Sequence, residues 1–258
     1  MQERHRDRER YFEEQARTSR KYYFPYLKTY LKEGARVLEV GCGEGGNLLP
    51  FAEAGFPVTG IDISASRIEH AGQYFAKRGF SGHFIASDIF RIAENGEKFS
   101  LVIVNDVIEH IGDKVRFMAL LKRFLAPDGL LFVGFPAWQM PFGGHQQLAH
   151  SRFLSHLPFV HLLPKGIYRA LLEMFGEPKD TVSELLDIKR CKCPIELFLK
   201  VSKESGLVVE DAVLYFIKPH YETKFGLKPR RLNRCIASVP WFRNFFCTGC
   251  LYLMKGGL

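Results

Sequence analysis

The sequence predicts an α/β fold: a doubly wound, mostly parallel sheet with helices on both faces and antiparallel pairing at its C-terminal end. Three observations predict it. Apolar runs of strand length alternate with helical patterns as far as residue 135. The run "FSLVIVNDV" (99–107) is apolar almost throughout, as a strand covered on both faces must be. Two strand patterns, "LVVEDAVLYFI" (207–217) and "CTGCLYLMK" (247–255), follow one another without an intervening crossover helix pattern of the earlier kind.

Each element has its own justification. Residues 8–32, rich in Tyr, Arg and Glu, read as helix, with Pro25 marking a break or a restart. "ARVLEV" (35–40) is the first strand, and a helix over 46–54 stops at Gly55. "PVTGIDI" (57–63) is the second strand. Ser64 is placed to cap the helix of "ASRIEHAGQYFAKRG", which Gly79 ends. "GHFIASDI" (82–89) and 99–107 are the third and fourth strands. "DKVRFMALLKRFLAPDG" has apolar residues at helical spacing and ends in a Pro-Asp-Gly turn, after which "LLFVGFP" (130–136) is the fifth strand. "CPIELFLKVSKESG" is a helix before the last two strands, which bring the expected number to seven.

The chain has 258 residues, 47% of them hydrophobic, enough for one sizeable core. A single domain over 1–258 is expected. It carries a helical N-terminal segment (1–34), an insertion (137–190) and a basic insertion (217–246) before the last strand. No apolar run approaches the roughly 18 residues of a membrane span. "MQERHRDRERYFEEQ" lacks the apolar segment of a secretory signal, so a soluble, cytoplasmic protein is expected. The net charge of +8 raises nucleic acid as a partner. No aromatic-basic RNA-binding motif supports it, and "KPHYETKFGLKPRRLNR" (218–234) reads as a solvated basic loop.

Cys42, Cys191, Cys193, Cys235, Cys247 and Cys250 do not form the scaffold of a small secreted domain. In a strand, Cys247 and Cys250 would face opposite ways, and C-x-C at 191–193 is not a finger spacing. His145, His150, His156 and His161 do not share one helical face, so no metal site is expected there. The apolar stretch "FLSHLPFVHLLPKGIYRALLEMFG" leaves three uses open: a lid over an acceptor, extra core, or an amphipathic surface in peripheral contact with a membrane.

Chemistry concentrates at "VLEVGCGEGGNLLPF" (37–51). Gly41, Gly43 and Gly46 fit G-x-G-x-x-G at a strand-to-helix turn, where backbone N–H groups can approach a ligand. Asp62 ends the next strand, where a carboxylate accepts both hydroxyls of a ribose. A nucleoside-containing ligand follows. Glu39, two residues before the first glycine, disfavours a pyrophosphate by charge repulsion and suits an amine or sulfonium.

The stretch Glu39-Val40-Gly41-Cys42-Gly43-Glu44-Gly45 resembles the acidic-x-G-x-G-x-G signature of class I S-adenosylmethionine-dependent methyltransferases. "GIDIS" (60–64), "ASDI" (86–89), "NDVIEHI" (105–111) and "LAPDGLLFVGFP" (125–136) are similar to that family's later motifs, in order and at its spacing. "VIEHI" is similar to the branch containing quinone-pathway O-methyltransferases. The resemblance implies a Rossmann-like seven-stranded sheet, S-adenosyl-L-methionine as cofactor with S-adenosyl-L-homocysteine as product, and a small-molecule acceptor, with oxygen favoured as the atom methylated. It also implies that Glu39, Gly41, Gly43 and Gly45 hold the methionine end, and that Asp62 binds ribose with Ile63 on the adenine. Asp88 and Ile89 would meet the adenine, and Asn105 would offer its carbonyl to the methionine amine.

If the acceptor is a hydroxyl, it needs a base. His110, after the fourth strand, and His145, in the polar turn "PFGGHQQ", are the candidates. His110 also reads as a helix-start or packing histidine. The rival functions are an NAD(P)-dependent oxidoreductase, which leaves Glu39 unexplained, an RNA methyltransferase, and a cofactor-binding protein without transferase activity.

Overall fold

The computed structural model describes residues 7–92 and 96–257. Residues 1–6 of the N-terminal segment therefore lie outside the described residues. Parallel strands β1 (Val37–Val40), β2 (Val58–Asp62), β3 (His83–Ala86), β4 (Phe99–Asn105) and β5 (Leu125–Phe135) form one half of a mixed sheet. The other half is β6 (Leu207–Ile217), β7 (Arg230–Arg231) and β8 (Gly249–Gly256). The spatial order is β3-β2-β1-β4-β5-β8-β6-β7.

Eight strands replace the expected seven. The extra one, β7, is a two-residue segment of the basic insertion pairing with Tyr215 and Ile217 at the sheet edge. Charged, exposed arginines there blunt an edge that could otherwise pair with another chain. Besides β7, which pairs antiparallel with β6, the antiparallel strand is β8, and it lies inside the sheet between β5 and β6. Strand order reverses between β1 and β4, which opens a crevice at their carboxyl ends.

The helices follow the sequence pattern with local differences. The predicted N-terminal helix is α1 (Arg8–Thr18), a π-helical turn at Ser19–Tyr23 and α2 (Phe24–Lys28), with Pro25 in the first turn of α2. There Pro lacks only an N–H that has no partner in a first turn anyway. A 3₁₀ turn, Gly46–Leu48, leads into the short α3 (Leu49–Glu53). Next comes α4 (Ala65–Lys77); Ser64 occupies its N-cap position, but its hydroxyl lies 3.2 Å from Ser66 Oγ and does not cap the helix. Then follow α5 (Lys114–Phe124), α6 (Arg152–His156), α7 (Lys165–Met174), α8 (Lys179–Cys191) and α9 (Ile195–Glu204). The short α10 (His220–Phe225) and α11 (Arg234–Ala237) lie in the basic insertion.

Alternation along each strand sends side chains to two faces. Leu38, Val40, Val102, Val104, Leu131 and Val133 meet Phe117, Met118 and Leu121 of α5 and Phe198 of α9. Val37, Leu101, Ile103 and Phe132 meet Phe12, Leu27, Phe51 and Phe75 from the other side. The insertion has a cluster of its own, built from Leu154, Tyr168, Leu172, Val182 and Leu185. Its apolar stretch therefore forms core locally.

The C-x-x-C pair departs from expectation. Cys247 precedes β8 and is not in strand register, so its Sγ comes within 3.4 Å of Cys250 Sγ, both buried.

Candidate active site

The site is built at the crevice between β1 and β4. Gly41, Gly43 and Gly45 all have positive φ, which lets the chain turn back on itself after β1. A Cβ on Gly41 would stand 2.3 Å from Val107 Cγ2, so the glycine loop packs directly on the loop after β4. Gly46 serves another purpose: a Cβ there would stand 2.4 Å from the carbonyl oxygen of Phe12. The glycine is what allows α1 to lie on the loop. Ser19 reinforces the contact by donating to the Asn47 carbonyl at 2.8 Å.

Glu39 shares a strand face with Val37 and is 1% exposed. Its Oε1 accepts from Asn47 Nδ2 at 2.8 Å, and its Oε2 has no partner among the described residues. Burial pushes the carboxyl up to about 8 despite the Asn47 bond, and nearby Asp62 adds to the shift. Asp62 fixes two turns at once. Its Oδ2 accepts from Gly43 N and its Oδ1 from Ser64 N, both at 2.9 Å. Ile63 beside it is 77% exposed, an apolar side chain held in the open at the expected adenine position. Asp88 accepts from Phe90 N at 3.0 Å and so caps a turn, and Ile89 is buried in the main core. Asn105 donates to Asp106 Oδ2 at 3.1 Å, its side chain lying over Gly134.

The loop after β4 carries the remaining polar groups. Asp106 has φ +54°, a strained value for a non-glycine residue, and pairs with Lys218 Nζ at 3.2 Å. Burial works to raise the Asp106 carboxyl, and the Lys218 ammonium overrides it, holding the pKa below the ordinary value. Lys218 itself is pulled above the usual ammonium range, Asp106 outweighing desolvation. Lys218 opens the stretch read from sequence as a solvated loop. It turns inward because Gly249 has no Cβ to block it.

His110 and His145 meet edge to face with ring centroids 4.9 Å apart. Desolvation, then the neighbouring His110, push the His145 pKa down to about 3. Both line a cavity of about 360 Å³ that also contains Tyr11, Glu109, Met140 and Phe142. An adjoining cavity of about 480 Å³ shares Phe142 and Tyr221 with it and is walled further out by Phe225. The other histidines of the run go elsewhere. His161 is fully buried and bonds the Trp138 carbonyl at 2.8 Å, while His150 and His156 are exposed.

Sequence reasoning missed Tyr11, Asn47, Glu109 and Lys218. Asn47 carries a signal in its position, one turn beyond the glycines and able to reach back to β1. The others come from distant segments, and no local pattern announces them. Tyr22, Tyr23 and Tyr26 of the same helical segment are engaged elsewhere. Tyr22 bonds Glu222, Tyr26 bonds Asp211, and Tyr23 packs on Phe132.

Residues 4–176 match the model of a methyltransferase-domain family. The ubiquinone biosynthesis O-methyltransferase of Chelativorans sp. is 38% identical over 101 residues, 39% of this chain and 40% of that protein. The aligned region is thus well under half the length of this curated relative. Among solved structures, an S-adenosylmethionine-dependent methyltransferase from Clostridium acetobutylicum superposes with TM-score 0.60 at 12% identity, over 94% of this chain and 92% of that one. The magnesium protoporphyrin IX methyltransferase of Synechocystis, crystallised with SAH, gives TM-score 0.57 at 14% identity, over 95% and 84% of the two chains. These likenesses establish the fold.

Proposed function

The chain belongs to the methyltransferase-domain family, and from that premise we propose that it transfers a methyl group from S-adenosyl-L-methionine to a hydroxyl of a small molecule. One observation carries the reading. A buried carboxylate, Glu39, has an unpartnered oxygen beside a glycine loop whose next strand ends in Asp62. The ammonium of a methionine moiety supplies the missing donor and favours the ionised carboxyl, which a pyrophosphate would not. The rival readings have no comparable support: the arginines at the glycine loop, Arg8 and Arg67, face the Glu44 carboxylate, and the basic insertion sends Lys218 to Asp106.

The cofactor, when bound, supplies an electrophilic methyl on a sulfonium. The chain supplies the rest. Glu39 and the backbone at Gly41, Gly43 and Gly45 hold the amino-acid end, with the Asn105 carbonyl on the amine. Asp62 still has lone pairs for the ribose hydroxyls, and Ile63 covers the adenine. Asp88 offers the adenine amine its remaining acceptor capacity, and Ile89 backs the pocket floor. Tyr11, Met140 and Phe142 narrow the acceptor cavity and exclude water. His110 faces that cavity as the base for the acceptor hydroxyl, while His145, pushed down to about 3, is too weak a base for that proton and packs against the His110 ring. The adjoining cavity, where Phe142, Phe225 and Leu227 stand among Gln147, His150, Arg152 and Lys224, suits an acceptor with both an apolar body and polar substituents. A cytoplasmic setting is in line with the six free cysteines. Among the described residues no helix is long and apolar enough to cross a membrane.

The test is calorimetric titration with S-adenosylhomocysteine and, separately, NAD and NADP. Micromolar binding of S-adenosylhomocysteine is expected, weakened at least about tenfold in Asp62→Ala, a loss of about 1.4 kcal/mol. Binding of NAD or NADP in its place would overturn the reading.

A further inference from the structure

The adjoining cavity differs in charge from the rest of the site. It opens off the acceptor cavity, the two sharing Phe142, Gln147, Tyr221 and Lys224. Its polar wall carries Arg152, Lys224, His150 and His156, and among the described residues no Asp or Glu lines it. Another flank of the acceptor cavity is acidic. Glu184 lines that flank, and beyond His110 a third cavity of about 560 Å³ is lined by Asp180, Glu184 and Asp187. Charge therefore changes sign from one flank of the acceptor cavity to the other.

Two elements from distant parts of the chain build the basic wall. In α10, Tyr221, Lys224 and Phe225 are spaced i, i+3 and i+4, so they share the helical face that lines the cavity. Tyr221 and Phe225 meet edge to face with ring centroids 5.3 Å apart, and Lys224 Nζ stands 5.0 Å from the Phe225 ring centre. The insertion brings Arg152 on α6. Buried Glu177 fixes the start of that helix, accepting from the backbone N–H of His150 and of Ser151 at 2.8 Å each. Both oxygens of Glu177 are thus spent on backbone, and Arg152 enters no ion pair among the described residues. Glu222, also on α10, pairs with Lys21 and Tyr22.

We propose that this cavity is a subsite for a phosphate ester, so that the methyl acceptor carries a phosphate at one end and the reacting hydroxyl at the other. A phosphate monoester bears about 1.5 to 2 negative charges near pH 7, where a carboxylate bears one. A guanidinium fork and an ammonium point charge in one wall match the phosphate better than the carboxylate. Phe142, Tyr221 and Phe225 cover the apolar body between the two ends.

The inference rests on the methyl-transfer reading and names the substrate class of that site. The acidic flank repels the phosphate, so the acceptor enters one way round, with its hydroxyl toward His110. The basic stretch 218–234 then has two uses. Lys218 holds Asp106, and Lys224 faces the phosphate.

The test is calorimetric titration of the full-length protein, in phosphate-free buffer, with phenyl phosphate and with benzoate. Wild type is expected to bind phenyl phosphate at least about tenfold more tightly than benzoate. Arg152→Gln and Lys224→Gln are each expected to weaken that binding about threefold to tenfold, both groups being open to solvent. S-adenosylhomocysteine affinity, measured on the same samples, is expected to be unchanged and serves as the folding control. Equal affinity for the two probes, no binding of phenyl phosphate, or binding undiminished in the double variant overturns the proposal. Phosphatidylcholine vesicles with and without phosphatidic acid, added as competitors, identify the source of the phosphate. Competition by phosphatidic acid supports the subsite with a lipid-borne acceptor, and its absence supports the subsite with a soluble one. If phenyl phosphate binds as expected but S-adenosylhomocysteine does not, the subsite stands and the methyl-transfer reading falls.

Discussion

At the residue scale, Glu39 makes the site sensitive to pH. Its carboxyl, pushed up to about 8 from an ordinary 4.5, keeps a proton in the folded, ligand-free protein that the unfolded chain releases. The folded state therefore binds more protons across that interval, and its stability falls as pH rises, by at most about 1.4 kcal/mol per pH unit. Glu39→Gln removes the titration. Thermal unfolding at pH 6 and pH 8.5 should show the variant gaining on wild type at the higher pH; a constant gap would contradict the argument. The same substitution should weaken S-adenosylhomocysteine binding, because it removes the charge that meets the ammonium. Glu39 and Asp62 were legible because each sits at a fixed offset from a glycine loop on a predicted strand end. Glu109 was not: as one residue in "VIEHI" it looks like any acidic residue in a turn, and its importance lies in what surrounds it in space.

Among the elements, the glycine loop depends on α1. Gly46→Ala would drive a Cβ to 2.4 Å from the Phe12 carbonyl and 2.7 Å from Gln15 Cβ. Backbone cannot retreat as a flexible side chain can, so a cost of about 1–3 kcal/mol is expected, with α1 lifted from the loop. Limited proteolysis should then cleave at Arg10 or Arg17 faster than in wild type, and the melting temperature should fall by several degrees. Unchanged cleavage would mean that α1 does not rely on that approach. The five parallel strands and their helices could be read from the chain because period and punctuation are local properties. The placement of β8 inside the sheet could not, since strand order depends on which edges remain free. Nor could β7, whose two arginines are too short a segment to show any period.

For the molecule as a whole, the insertion behaves as a second, smaller core beside the sheet. Leu185 is fully buried within it, and Leu185→Ala should cost about 2–5 kcal/mol. Yet the cluster includes no residue of the glycine loop. Hydrogen exchange should therefore accelerate across 165–191 while S-adenosylhomocysteine affinity stays within about twofold of wild type. A parallel loss of affinity would show instead that the two cores respond as one. The sequence located this insertion by its change of pattern and left its use open, because an apolar stretch reads alike whether it packs on itself, on a ligand or on lipid.

The position of β8 between β5 and β6 has a consequence for biosynthesis. Lys218 follows β6 directly, and β6 joins β5 only through β8. While the chain is still emerging from the ribosome, the first five strands can assemble with an open β5 edge, and Asp106 must wait for its partner. At about 5–20 residues per second, the wait is on the order of ten seconds. For that interval the nascent protein presents the unpaired backbone edge of β5 to its neighbours, a natural point for a chaperone to hold.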